Sequence, residues 1–144
     1  MKKILVCTLA LLLTFCLFAC SKDEPRSGDG FTEMTGSIVR FYPQGGSDSF
    51  ASFYSESADA KEITLVSGLT YRVALAPSFN GSRDTQFTGN CADFDFDDGV
   101  CEVRYIGQQN YQPSYELTVL AESDFELNVG VGSFTQTIKI KIAK

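Results

Sequence analysis

The chain has 144 residues, with 12 basic and 18 acidic side chains, no histidine and no tryptophan. Without histidine, Ser-His-Asp and Cys-His mechanisms are excluded, along with most general bases tuned near neutral pH. The acidic balance argues against nucleic acid as a partner, because binding to phosphates is driven by clustered Lys and Arg.

Met1 to Lys3 gives a short positive start, and Ile4 to Ala19 then runs without a charge. This is the layout of the n-region and h-region of a secretory signal peptide. The run falls short of the ~20 apolar residues needed to span a bilayer. It stops at Leu17-Phe18-Ala19-Cys20, followed at once by Ser21-Lys22-Asp23-Glu24-Pro25. The stretch Leu17 to Cys20 resembles the lipobox of bacterial lipoproteins. That resemblance implies cleavage before Cys20, diacylation of its thiol and acylation of the new amino group. A single acyl chain binds membranes reversibly, whereas two or more anchor stably. Ser21 after the cysteine, and the Lys22-Asp23-Glu24 trio, are similar to outer-membrane sorting and surface-export patterns. The expectation is a lipid-anchored protein of the outer membrane, on its cell-surface or periplasmic face.

Cleavage after residue 19 would leave 125 residues, with ten basic against eighteen acidic groups and a net charge of −8. That length suits one domain. The predicted organisation is a signal peptide over 1–19, a lipidated Cys20 and flexible tether over 20–35, and a folded domain over 36–144. Charge, Gly, Pro and Ser are dense in KDEPRSGDG, as a flexible linker requires.

From residue 37 the chain alternates in strand fashion. Strands are predicted over 37–42 and 49–54, broken by Pro43-Gln44-Gly45-Gly46. Residues 55–61 form a loop or a single helical turn. Strands over 63–66 and 69–76 flank Ser67-Gly68 and read as a hairpin. Within the second, Leu69, Tyr71, Val73 and Leu75 share one face. Residues 77–85 are a loop, and 86–88 carry no clear signal. Strands over 92–96 and 100–106 read as a second hairpin around Asp97-Asp98-Gly99. Gly107 to Pro113 is a polar loop. Strands over 115–120, 125–129 and 134–142 complete the chain.

The fold expected is all-β: an antiparallel, Ig-like β-sandwich of about 7–9 strands, with a small β-barrel as the alternative. The GGS opening after the first strand, the strand rhythm and the lipidated start resemble Ig-like domains of outer-membrane lipoproteins. BACON-like and fimbrillin-like modules are the families nearest in pattern.

Four groups of residues are candidates for chemistry. Cys91 and Cys101 remain after the signal cysteines leave and Cys20 takes lipid. They are expected to form a disulfide across the second hairpin, suiting an oxidising compartment. Asp93, Asp95 and Asp97 have the two-residue spacing that opens a calcium loop. Against this, the sixth position is Asp98 rather than Gly, and the twelfth is Arg104 rather than Glu. Otherwise no cofactor is expected. Asn110, Tyr111 and Tyr115 combine an amide with flat rings, as a sugar or peptide site would, with Tyr54 and Phe79 as further rings. Glu122, Asp124 and Glu126 share a strand face, where solvation explains their charge as well as hydrolysis would.

The function expected is therefore a non-catalytic, outer-membrane-anchored binding module for a glycan or protein. The alternative is a structural subunit of a surface assembly, joined by strand addition through residues 134–142. A carboxylate-based hydrolase is a third and lesser reading. Composition leaves oligomeric state open.

Overall fold

The computed structural model describes residues 34–79, 87, 89–110 and 112–143. The predicted signal peptide, Cys20 and nearly all of the tether lie outside these, as does Tyr111. The described residues form nine strands and no helix: β1 Met34–Pro43, β2 Ala51–Tyr54, β3 Glu62–Val66, β4 Thr70–Phe79, β5 Ala92–Asp95, β6 Cys101–Gln109, β7 Gln112–Val119, β8 Phe125–Val131 and β9 Phe134–Ala143. They make two sheets, in the orders β2-β1-β4-β7-β6 and β3-β9-β8-β5. The fold is a β-sandwich, and no sheet closes into a barrel.

Alternation explains how the layers meet. Val39 and Phe41 on β1, Val73 and Leu75 on β4, and Leu117 and Val119 on β7 are fully or almost fully buried. Leu127, Val129, Ile138 and Ile140 do the same from the opposite sheet. Because side chains alternate faces along a strand, each sheet offers one apolar side, and the two sides bury one another. Phe87 completes the core with no exposed surface, although its surroundings show no strand rhythm. Gln136 is a polar intruder at 3% exposure, and its Nε2 donates to Ser37 O and Oγ on the facing sheet, both at 3.4 Å.

The strand pairing departs from two expected hairpins. β3 and β4 lie in different sheets, and so do β5 and β6. Ser67-Gly68 is thus a corner: Gly68 N–H donates to Val119 O at 2.8 Å, and Val66 N–H donates to the Tyr71 hydroxyl at 2.9 Å. Alternation marks which face of a strand is apolar, but not which sheet the strand joins. β3 runs parallel to β9, and the other pairings are antiparallel.

Two further expectations change. β9 lies between β3 and β8, so it is no edge, and strand addition along it as a free edge is not supported. Gly107 to Pro113 is not a loop either. β6 and β7 pair down to Gln109 opposite Gln112, leaving Asn110 and Tyr111 between them. A bulge between Tyr105 and Gly107 interrupts that ladder, with Gly107 at φ 93°, a left-handed geometry that a side chain would strain.

The registers also orient the domain. Met34 pairs with Phe79, so the chain enters at the end carrying the β6–β7 tip and the β8–β9 turn. The opposite end carries the β1–β2, β3–β4, β5–β6 and β7–β8 connections, with exposed Val66, Leu69 and Leu120.

Candidate functional site

Among the described residues, a polar site is formed on the outer face of the five-stranded sheet. Tyr42 on β1 is opposite Arg72 on β4, which is opposite Glu116 on β7, which is opposite Arg104 on β6. Directly opposed residues share a face, so these four make a row across four strands. Arg104 forms an ion pair with Glu116. Thr70 and Thr118 hydroxyls meet at 2.9 Å in the adjoining row.

The β1–β2 connection folds back over this row. Arg72 lies over the Tyr42 ring at 3.6 Å from its centroid and donates to Gly46 O at 3.3 Å. Stacking on a ring and donating in plane are both properties of guanidinium. Two glycines allow the approach: Gly45 has φ 73°, and a Cβ on Gly46 would stand 2.5 Å from Pro43 Cγ. Between this connection and the sheet is a depression of about 180 Å³, lined in part by Gly46, Thr70, Arg72, Ile106, Gln109 and Glu116. It is smaller than the ~300–1,000 Å³ pockets that enclose whole small molecules. Its lining side chains include one cation, one carboxylate, two amides and two hydroxyls, which present donors and acceptors around a shallow floor.

The candidates named from sequence are placed differently. Asn110 is at the β6–β7 tip with φ 52°, next to Gln109 of the depression. Tyr111 lies outside the described residues. Tyr115 is not available to a ligand, because only 2% of it is exposed. Its ring meets Phe94 at 4.8 Å and Tyr105 at 5.3 Å between centroids, and its hydroxyl accepts the Ala92 N–H at 3.1 Å. Burial pushes the phenol well above its usual range. Gln108 is structural, with Nε2 donating to Phe87 O at 3.1 Å. Tyr54 is 44% exposed and opposite Ile38, on the same face as Arg40 and Tyr42. Phe79 contributes backbone pairing to β4.

Cys91 and Cys101 are buried at 6% and 4% exposure, and among the described residues no disulfide joins them. The expected hairpin does not exist, and the two lie in different layers. Cys101 is opposite Val119, whereas Cys91 precedes Ala92, which bonds to Tyr115, four residues along β7. Ala92 is opposite Val131 beside the β8–β9 turn, whereas Cys101 is opposite Val119 at the other end of the sandwich, and bridged Cα atoms must come within ~4.4–6.8 Å. Burial raises the Cys101 thiol to about 11.

The calcium spacing does not fit a site. Asp93 and Asp95 lie on extended β5 with Phe94 between them, and all three aspartates are exposed. A calcium loop must curl so that alternate carboxylates converge. Among the described residues no group of three or more acidic or thiol side chains is placed to hold a metal ion. The other acidic series is equally dispersed. Asp124 Oδ1 accepts the Ile142 N–H at 3.0 Å, and Glu126 is opposite Lys139. Lys141 binds Glu62 at 2.7 Å, and that contact raises its pKa.

Sequence reasoning missed Arg72, Gly46 and Gln109 as a group. Arg72 read as the polar side of a strand, and only the folded β1–β2 connection makes it part of a depression.

No family model and no curated protein matches the chain. Among solved structures, the chain is similar to one titled "Crystal structure of the S-layer protein SbsC domains 4 and 5", at 18% identity and a TM-score of 0.40. The match covers 61% of this chain and 50% of that one, so the chain spans about half the length of its structural neighbour.

Proposed function

We propose that this chain is a non-catalytic binding module, held at an outer membrane by lipid on Cys20, that engages a glycan on the outer face of its five-stranded sheet. The supporting observation is the Arg72–Glu116 row beneath the folded-back Gly45–Gly46 connection. A guanidinium and a carboxylate side by side suit vicinal hydroxyls, which both donate and accept. Tyr54 supplies an exposed ring on the same face for stacking. The depression accommodates one residue of a longer ligand and leaves the remainder to the open sheet. A protein ligand is the second reading, and it would need a far larger contact, ~800 Å² per partner. Catalysis is not proposed, since histidine is absent and the strand carboxylates are spread along exposed faces.

The membrane part rests on the Leu17-Phe18-Ala19-Cys20 pattern. Fatty-acid labelling of the protein should vanish in Cys20→Ala, and persistent labelling would overturn the anchor. Screening on a glycan array tests the binding part. Arg72→Ala should reduce the captured signal by about tenfold or more, as expected when a hydrogen-bonded charge is removed. An unchanged signal in Arg72→Ala would move the site elsewhere.

A further inference from the structure

Four strands form the edges of the two sheets, and they differ in length. β2 and β5 have four residues, β3 has five, and β6 has nine. Among the described strands β6 pairs only with β7, so its other side presents an unpaired row of backbone N–H and C=O groups. Its inward side chains are also incompletely covered. Val103 and Tyr105 are only partly buried, as are Phe94 and Phe96 near the same side of the sandwich. An open depression lies along this strand, lined by Glu102, Val103, Arg104, Glu116 and Thr118.

Natural edges are usually protected by charge or by a bulge. Here both are arranged differently. The regular part of β6 runs from Cys101 to Tyr105, where the bulge begins. Val103 is its midpoint. A two-fold axis through Val103 places Cys101 opposite the partner's Tyr105, and Glu102 opposite the partner's Arg104. The same axis places Arg104 opposite the partner's Glu102. An edge carrying lysines alone would repel its own copy, whereas this one is complementary to itself. Isologous contacts of this kind are the commonest basis of soluble dimers.

We propose that β6 is a self-association edge, at which a second copy of this chain pairs antiparallel over Cys101–Tyr105 about an axis at Val103. Each pair of sandwiches then shares a ten-stranded sheet, with two crossed Glu102–Arg104 contacts on its outer face. Arg104 gains the partner's Glu102 on one side while keeping Glu116 on the other. Val103 and Tyr105 lose their remaining exposure. The pairing sets the two Met34 ends at opposite ends of the dimer, since the strands oppose. The interface itself does not depend on what the outer face binds.

The test uses charge exchange in the full chain, in detergent with micelles in large excess, followed by sedimentation. Wild type should dimerise. Glu102→Lys places Lys against Arg104 twice, and Arg104→Glu places two carboxylates together twice. Each variant alone should dimerise at least about tenfold more weakly, as like charges opposed across strands require. Mixed together, the variants are complementary at both positions, so a heterodimer should form with near wild-type affinity. Thermal melts should show both variants folded. As a second readout that leaves the charges intact, Val103→Cys should cross-link to itself under mild oxidation, while Gln108→Cys should not. A wild-type monomer, variants that dimerise as wild type does, a mixture that fails to associate, or equal cross-linking at both cysteines would each overturn the proposal.

Discussion

Tyr115→Phe separates a core tyrosine from a ligand-binding one. The ring is 2% exposed, so it contributes as a buried side chain, and phenylalanine keeps the contacts with Phe94 and Tyr105. The loss is confined to the hydroxyl, which accepts the Ala92 N–H at 3.1 Å and so ties β7 to the start of β5 in the other sheet. Ala92 is itself buried, at 9% exposure. A buried donor left without an acceptor costs about 1–3 kcal/mol. For a domain of this size each kilocalorie lowers the melting temperature by about 4–8 °C. The expected fall is thus roughly 4–24 °C by calorimetry, with glycan binding unchanged. Tyr115→Ala adds a cavity and should cost about 3–5 kcal/mol. A Phe variant that melts with wild type while losing ligand would refute the burial argument.

The two buried cysteines predict that intact mass is the same with and without reductant, and a difference of two hydrogens would contradict the strand registers that separate them. The Cys101 thiol should resist alkylation at neutral pH, because burial raises it to about 11. Its folded value exceeds its unfolded one, so its contribution is complete below about 9 and is lost as pH rises through about 11. Tyr115 shifts the same way. Denaturant midpoints should therefore fall across that alkaline window, and flat midpoints would count against it. Gly36→Ala should disturb the entry of β1. A Cβ there would fall on the Glu56 carboxylate and stand 2.5 Å from Ser55 Oγ, displacing the Glu56–Ser78 hydrogen bond that holds Glu56 below its usual range. The measurable result is a Glu56 titration returning toward the ordinary carboxylate value by NMR.

Much of the fold was legible because alternation is a local property. Leu69, Tyr71, Val73 and Leu75 marked one face of a strand, and Tyr71, Val73 and Leu75 are buried in the core. Leu69 stays half exposed because it belongs to the corner before β4, not to the sheet. Pairing was not legible, since Ser67-Gly68 and Asp97-Asp98-Gly99 turn the chain equally well within a sheet or between sheets. The polar run Gly107 to Pro113 reads as a loop because Gln108, Gln109 and Asn110 are exposed in succession at the end of the hairpin, which leaves no alternation to read. Phe87 showed no signal at all, since a single ring inserted from an irregular segment has no period. The candidate site is the hardest case. Arg72 and Gly46 are 26 positions apart, and only the fold brings that guanidinium under that carbonyl.

The central claim is that the outer face of the five-stranded sheet is the binding surface. NMR titration of the isotope-labelled protein with a glycan captured on the array tests it most directly. Shifts should concentrate at Gly45, Gly46, Thr70, Arg72, Gln109 and Glu116, and should be lost together in Arg72→Ala. Shifts confined to Val66, Leu69 and Leu120 at the far end, with this face silent, would contradict it.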